Sequence, residues 1–350
     1  MKDIPLALTY DDVLLVPQFS KVKSRSQVSL KTRITPNIEL NLPVISINMD
    51  TVTGVDMAIA MYQAGGISFY PRFASPDIQA KEIKEVFKAG CNVIPAVGIK
   101  ESEFERVKTL VKAGAKAITI DVAHGHLEAA LNFLKKIKKT YPKLEVISGV
   151  IATYEGARDL FKAGADAVRV GVGPGTICTT RQVTGSGVPQ ITATMEAYRA
   201  GLEFGRPIIT DGGTKTTGDI VKALAAGANA VTVGSQLAGT DEATGELVEK
   251  DGKRYKRYNG STSQTEKIRQ MKKHSQDKSA EYIYYIEGVE AMVPYKGPVK
   301  NVLAAMEKGI RSGLSYSGAF NIVELHQKAR FIRVTPISVA ENGPHGVILV

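Results

Sequence analysis

The chain has 350 residues, 43% hydrophobic and 23% charged, which fits a globular protein with a large core and excludes a disordered one. A net charge of +10 suits acidic ligands such as nucleotides, and equally a soluble surface with surplus lysine. Two cysteines, Cys91 and Cys178, exclude a disulfide framework and fit a reducing cytoplasm; Met1–Thr9 is too short and polar for a signal peptide, and no apolar run reaches the ~18–20 residues of a membrane helix.

In chain order, eight short β-branched apolar runs alternate with amphipathic helical segments: Val44–Asp50, Gly66–Tyr70, Asn92–Gly98, Ala117–Val122, Glu145–Val150, Ala167–Gly173, Pro207–Gly212 and Ala230–Ser235. Each run is continuously apolar, as expected for parallel strands covered on both faces. The helical segments end on Ala-Gly at Gly65, Gly90, Gly114, Gly164 and Gly227, where glycine can stop a helix and turn the chain into the next strand. Eight such units predict a closed (β/α)₈ TIM barrel, with a doubly wound open sheet as the alternative. The chain is expected to be one catalytic domain over residues 1–350. Thr240–Val299 breaks the rhythm and reads as a long flap insertion after the eighth strand. Val299–Gly309 and Ala319–Lys328 read as helices, and the Gly- and Pro-rich tail Ile337–Val350 as extended.

Active sites of such barrels lie at the C-terminal ends of the strands. The sharpest loop there is Gly171-Val172-Gly173-Pro174-Gly175-Thr176-Ile177-Cys178-Thr179-Thr180-Arg181, after the sixth strand. Its glycines let backbone N–H groups approach a ligand, and Cys178 sits in the loop as a candidate nucleophile. An electropositive mouth would favour its thiolate. The alternative is a small buried hydrophobe, which is the reading for Cys91. A dinucleotide-binding glycine turn is a weak fit, since it wants a helix at the third glycine. Asp211-Gly212-Gly213 and Gly234-Ser235 end strands seven and eight, the common phosphate position in these barrels, and Asp211 could bind a ribose hydroxyl pair. Turn chemistry alone is the alternative. His124 and His126 read as polar loop groups without a metal.

These residues resemble the IMP dehydrogenase/GMP reductase family. The matching stretches are Tyr10-Asp11-Asp12-Val13-Leu14-Leu15, Asn48-Met49-Asp50-Thr51-Val52, Gly171–Arg181, Asp211-Gly212-Gly213, Gly234–Gly239 and Val293-Pro294-Tyr295-Lys296-Gly297. The resemblance implies that Cys178 attacks purine C2 to form a thioimidate, with Thr180 and Glu287 handling protons. It implies that Met49, Thr176, Asp211, Gly212, Gly213, Gly234, Ser235, Tyr258 and Gly260 hold the nucleotide. It places Asp121, Ala123, Gly171 and Gly173 at the cofactor, NADP or NAD, and the carbonyls of Gly173, Gly175 and Cys178 around a monovalent cation such as potassium. The implied assembly is a homotetramer with GMP or IMP as ligand. The tandem regulatory (CBS) pair that many dehydrogenases carry between strands two and three is expected to be absent, since Phe73–Gly90 reads as one helix.

Two reactions share the covalent intermediate. In dehydrogenases an Arg-Tyr pair on a mobile flap activates the hydrolytic water. Between Gly260 and Glu287 there is no such pair; Arg254-Tyr255 and Arg257-Tyr258 precede it. Asp277-Lys278-Ser279-Ala280-Glu281-Tyr282 followed by Glu287-Gly288 is similar to the reductase pattern, so GMP reductase is favoured. Thr184–Gln190, Pro298-Val299 and Glu341–Gly346 are closer to the dehydrogenase, IMP to XMP. Val150, where the family usually has asparagine, and Asn259-Gly260-Ser261 depart from both. A non-catalytic purine nucleotide sensor is the alternative of another class. Neither a membrane nor nucleic acid is expected as a partner, since no aromatic-interleaved basic platform appears.

Overall fold

The computed structural model describes residues 4–273, 284–344 and 347. Eight parallel strands close into a barrel: β1 (Val44–Ser46), β2 (Ile67–Tyr70), β3 (Ile94–Val97), β4 (Ala117–Asp121), β5 (Glu145–Ile151), β6 (Ala167–Val170), β7 (Ile208–Asp211) and β8 (Ala230–Val233). The ladder runs in chain order from β1 to β8 and closes where Val231 pairs with Val44 and Val233 with Ser46. All eight predicted runs are strands, and the closed ladder excludes the open sheet.

Alternation inside each strand builds two cores. Ile45, Ile67, Phe69, Ile94, Ala117, Ile147, Ala167, Ile209 and Ala230 fill the barrel interior. The outward residues, such as Val44, Val146 and Val168, pack beneath the helices. Each buried Ile or Phe contributes about 1.5–3 kcal/mol. Below the barrel, the hairpin pairing Thr32–Arg33 with Glu39–Leu40 plugs the interior with Ile34. The Glu145 carboxylate at the foot of β5 fastens that plug, accepting from Thr35 Oγ1 at 2.8 Å and Asn37 N–H at 3.0 Å.

The helices between strands are α1 (Val55–Gln63), α2 (Pro76–Lys88), α3 (Ser102–Lys112), α4 (Glu128–Thr140), α5 (Tyr154–Lys162), the short α6 (Thr180–Thr184), α7 (Gln190–Phe204) and α8 (Thr217–Ala225). Their starts follow local chemistry. Ser75 caps α2 before Pro76, and Thr216 and Asp219 form a capping box on α8. Their ends do too: all five Ala-Gly glycines take positive φ, up to +112° at Gly227. Only α2 lies between β2 and β3.

After β8 a four-residue helix, α9 (Ser235–Ala238), leads into an antiparallel sheet of β9 (Leu247–Lys250), β10 (Lys253–Asn259) and β11 (Glu290–Pro294), with α10 (Gln264–Lys273) between the last two. The flap is thus a built layer rather than a bare loop. Its β11 alternates exposed and half-buried positions, a period of two. The Asp277–Tyr282 stretch lies outside the described residues. Helices α11 (Val299–Tyr316) and α12 (Ile322–Lys328) close the chain over α8. The tail departs from expectation. Pro336–Glu341 is a 3₁₀-helix, because Pro336 stands at a first helical position where its fixed φ suits a turn. Residues 345–346 and 348–350 are outside the described set. Among the described residues no helix is long and apolar enough to cross a membrane.

Candidate active site

A cleft of about 280 Å³ opens at the C-terminal ends of the strands, under the flap. It collects the site residues that the family resemblance implied, from Met49 after β1 to Glu287 before β11.

The loop after β6 can lie there only because Gly171 has no side chain. Gly171 has φ +152°, and a Cβ on it would sit 2.1 Å from the Asp211 carbonyl oxygen. Arg181 ties the loop to itself, donating to the carbonyls of Val172 at 3.2 Å and Val188 at 2.7 Å. Cys178 is exposed on this loop, and its N–H donates to the Gly175 carbonyl at 3.1 Å. The thiol donates to Thr180 Oγ1 at 3.2 Å, and Thr180 Oγ1 donates to Glu287 Oε2 at 2.5 Å. The Glu287 backbone is held against the same loop: its carbonyl accepts from Thr179 N–H at 3.0 Å, and Val289 N–H donates to the Ile177 carbonyl at 3.1 Å. Thiol, hydroxyl and carboxylate therefore form one continuous line across 109 residues of sequence, from Cys178 to Glu287. Such a line can carry a proton to or from a group bound at sulfur.

The loops after β7 and β8 form the facing wall. Gly212 and Gly213 hold φ of +84° and +86°, and Cβ atoms there would approach Pro174 to 3.3 and 3.2 Å. Thr176 Oγ1 reaches Ser235 Oγ at 3.4 Å, bridging loops six and eight. Tyr258 on β10 is buried, its hydroxyl 2.7 Å from where a Cβ on Gly234 would stand. Burial pushes the Tyr258 phenol well up, so it stays a neutral donor. Backbone amides, hydroxyls and a phenol converge here, a donor set suited to a phosphate.

Between these walls lies a residue that the sequence reading missed. Arg169 on β6 is 2% exposed and points into the barrel mouth. Its Nε and Nη2 both donate to Asp211 Oδ2, the first at 2.9 Å. Nη2 also donates to Asn48 Oδ1 at 3.0 Å, and Nη1 to Asp121 Oδ1 at 3.2 Å. Its guanidinium stacks on the Phe69 ring, 4.7 Å from the centroid. From the cleft side, Arg72 pairs with Asp121 Oδ2 at 3.4 Å. Burial alone would push the Asp121 carboxyl up, but Arg169 and Arg72 outweigh it and hold it below the ordinary carboxylate range. Asp121 is thus an ionised acceptor at the cleft wall. The available signal was a lone arginine in the otherwise apolar run Ala167-Val168-Arg169-Val170.

The remaining nominees stand apart. Cys91 is buried below the barrel strands, far in the fold from the cleft lining, and burial pushes its thiol up. His126 pairs with Asp159 at 3.0 Å. Among the described residues no cluster of His, Cys, Asp or Glu could hold a metal. Of the flap arginines, Arg254 stacks on Tyr295 at 4.2 Å and Arg257 pairs with Glu246 at 2.8 Å; neither lines the cleft.

Comparison with known proteins gives a consistent assignment. The IMP dehydrogenase / GMP reductase domain model matches residues 7–345. An inosine-5'-monophosphate dehydrogenase of Nitrosopumilus maritimus is 37% identical over 98% of both chains, and one of Borreliella burgdorferi is 39% identical over 97% of both. A GMP reductase of Leishmania major is 31% identical over 98% of both. The crystal structure of a cysteine-to-alanine variant of GMP reductase from Trypanosoma brucei, in complex with guanosine 5'-monophosphate, superposes with a TM-score of 0.93 at 30% identity, over 99% of both chains. The chain therefore belongs to the IMP dehydrogenase/GMP reductase family of oxidoreductases, built on a (β/α)₈ barrel.

Proposed function

We propose that this protein acts at C2 of a purine 5'-monophosphate through Cys178, and that its reaction is GMP reduction: GMP and NADPH to IMP and ammonia. The observation that carries this reading is the Cys178–Thr180–Glu287 line. Cys178 Sγ adds to C2. The thiol proton, carried along the Thr180–Glu287 pair, passes to the 2-amino group, which leaves as ammonia, so the purine stays bound to sulfur as a thioimidate. A hydride arriving at C2 then lets the C–S bond break, releasing IMP and the thiolate. Glycines of loops seven and eight, with Ser235, Thr176 and Tyr258, hold the phosphate, and Asp211 with Met49 positions the ribose and base.

The nicotinamide cofactor, when bound, supplies that hydride. The chain's residues fit such a group. Phe73, Val122, Ala123 and Val150 give an apolar wall continuous with the nucleotide position, while the ionised Asp121 can accept from ribose hydroxyls. Gly171 and Gly173 of loop six line the same cleft. A monovalent cation would be bound by the carbonyls of Gly173, Gly175 and Cys178; that of Gly175 already accepts one N–H and would use its second lone pair. The reading extends to a cytoplasmic homotetramer, which light scattering on the eluted protein checks.

IMP dehydrogenation is the second reading, favoured by the relatives of that name. Against it, hydrolysis wants an arginine base over the cleft, and Arg254 and Arg257 are engaged elsewhere. Paired initial rates, NADPH oxidation with GMP and NAD⁺ reduction with IMP, test the choice. Faster NADPH oxidation is expected; faster NAD⁺ reduction reverses the direction, and neither rate above background points to the nucleotide sensor.

A further inference from the structure

Helix α10 of the flap carries a lysine whose burial the reaction scheme does not yet use. Lys267 is 3% exposed, and its ammonium donates to the Tyr285 carbonyl, two residues before Glu287. Its charge is close enough to Glu287 for the carboxylate to oppose the fall in lysine pKa that burial causes. Burying an ammonium is expensive unless something compensates it, and an apolar side chain of that length would fill the space at no such cost.

The site that holds Lys267 is built firmly. Its own N–H donates to the Ser263 carbonyl at 3.0 Å, and Ser263 N–H donates to the Gly260 carbonyl at 2.8 Å. Asn259 Nδ2 donates to Glu266 Oε1 at 3.0 Å, and Gln270 Nε2 to the Ser261 carbonyl at 2.9 Å. The first turns of α10 are thereby fixed to Gly260, itself part of the cleft. On the other side, Glu287 is fixed to the cysteine loop through Thr179 and Thr180. Lys267 spans the gap between these two fixed pieces.

We propose that Lys267 is the positioning residue through which α10 sets Glu287 against Thr180: its hydrogen bond fixes the chain at Tyr285, two residues before the carboxylate. The inference rests on the role given to Glu287 above. It makes the proton-handling line depend on α10 being seated.

The test uses Lys267→Met and Lys267→Gln in the full chain, each alone and combined with Glu287→Gln, with steady-state kinetics in whichever reaction the parent protein performs and thermal melting of every variant. Methionine matches the lysine stem in length without the charge; glutamine can still donate to the Tyr285 carbonyl. The expected result for methionine is a kcat lower by about 10–100-fold, the cost of a misplaced catalytic group, with glutamine recovering at least a few-fold of that loss. The nucleotide KM stays within about three-fold, and both variants remain folded at the assay temperature by their melting curves. In the Glu287→Gln background either change adds no further loss, since both act on one carboxylate. A kcat within two-fold of the parent in the methionine variant overturns the inference. So does an additive loss with Glu287→Gln, or a parallel fall in kcat, binding and melting temperature. If Glu287→Gln alone keeps full kcat, the role given to Glu287 fails first, which is a separate outcome from a silent Lys267.

Discussion

Replacing Arg169 with methionine is the sharpest perturbation of this site that leaves the reacting atoms in place. The guanidinium makes two bonds to Asp211 and one each to Asp121 and Asn48 while 2% exposed. Removing it strands the Asp211 carboxylate, whose side chain is 7% exposed, without a cation. Breaking a buried pair from one side costs roughly 3–5 kcal/mol, a large part of the about 5–15 kcal/mol that holds a typical fold. Urea unfolding followed by far-UV circular dichroism measures the loss. The deficit also depends on pH. Burial already pushes the Asp211 carboxyl up, with Arg169 opposing it, so the variant's folded pKa lies further above the unfolded value. A carboxyl raised in the folded state contributes stability at low pH and loses it as pH rises through its folded pKa. The gap to the parent protein therefore widens as pH rises above the ordinary carboxylate range. Adding Asp211→Asn removes the stranded charge and recovers at least ~1 kcal/mol. A deficit below about 1 kcal/mol, a gap that narrows with rising pH, or a further loss on adding Asp211→Asn would refute the reasoning.

Three shorter predictions follow from the same geometry. Cys178→Ala abolishes turnover while nucleotide binding by calorimetry stays within about three-fold of the parent, because only the covalent step is lost; retained turnover contradicts it. Gly171→Ala forces a Cβ against the Asp211 carbonyl 2.1 Å away, so melting falls by several degrees and kcat/KM drops with it; an unchanged melt shows that loop six can move aside. Asp121→Asn weakens dinucleotide binding by about ten-fold and mononucleotide binding much less, as loss of one charged acceptor predicts; equal weakening of both ligands places Asp121 outside the cofactor wall.

The barrel was legible because its strands announce themselves twice, as apolar runs and through the Ala-Gly stops before them. Cys178 and the glycines of loops six to eight were legible because barrel topology places every post-strand loop at one mouth. Arg169 was not: within a strand it counts as an interruption, and only closure of the barrel brings Asp121 and Asp211 to its two edges. The flap sheet was hidden for a related reason. Tyr258 on β10 pairs with Ala291 on β11 across a long connection, and no local pattern records that register. The tail was misread because its prolines and glycines suggested an extended chain, whereas Pro336 starts a turn.

Intact-protein mass spectrometry on acid-quenched turnover mixtures tests the covalent step most directly. With GMP and NADPH, or with IMP and NAD⁺, the protein should gain the mass of GMP less ammonia, which equals IMP less two hydrogens, and the peptide containing Cys178 should carry it. An unmodified Cys178 in a protein turning over at full rate would contradict sulfur attack at C2.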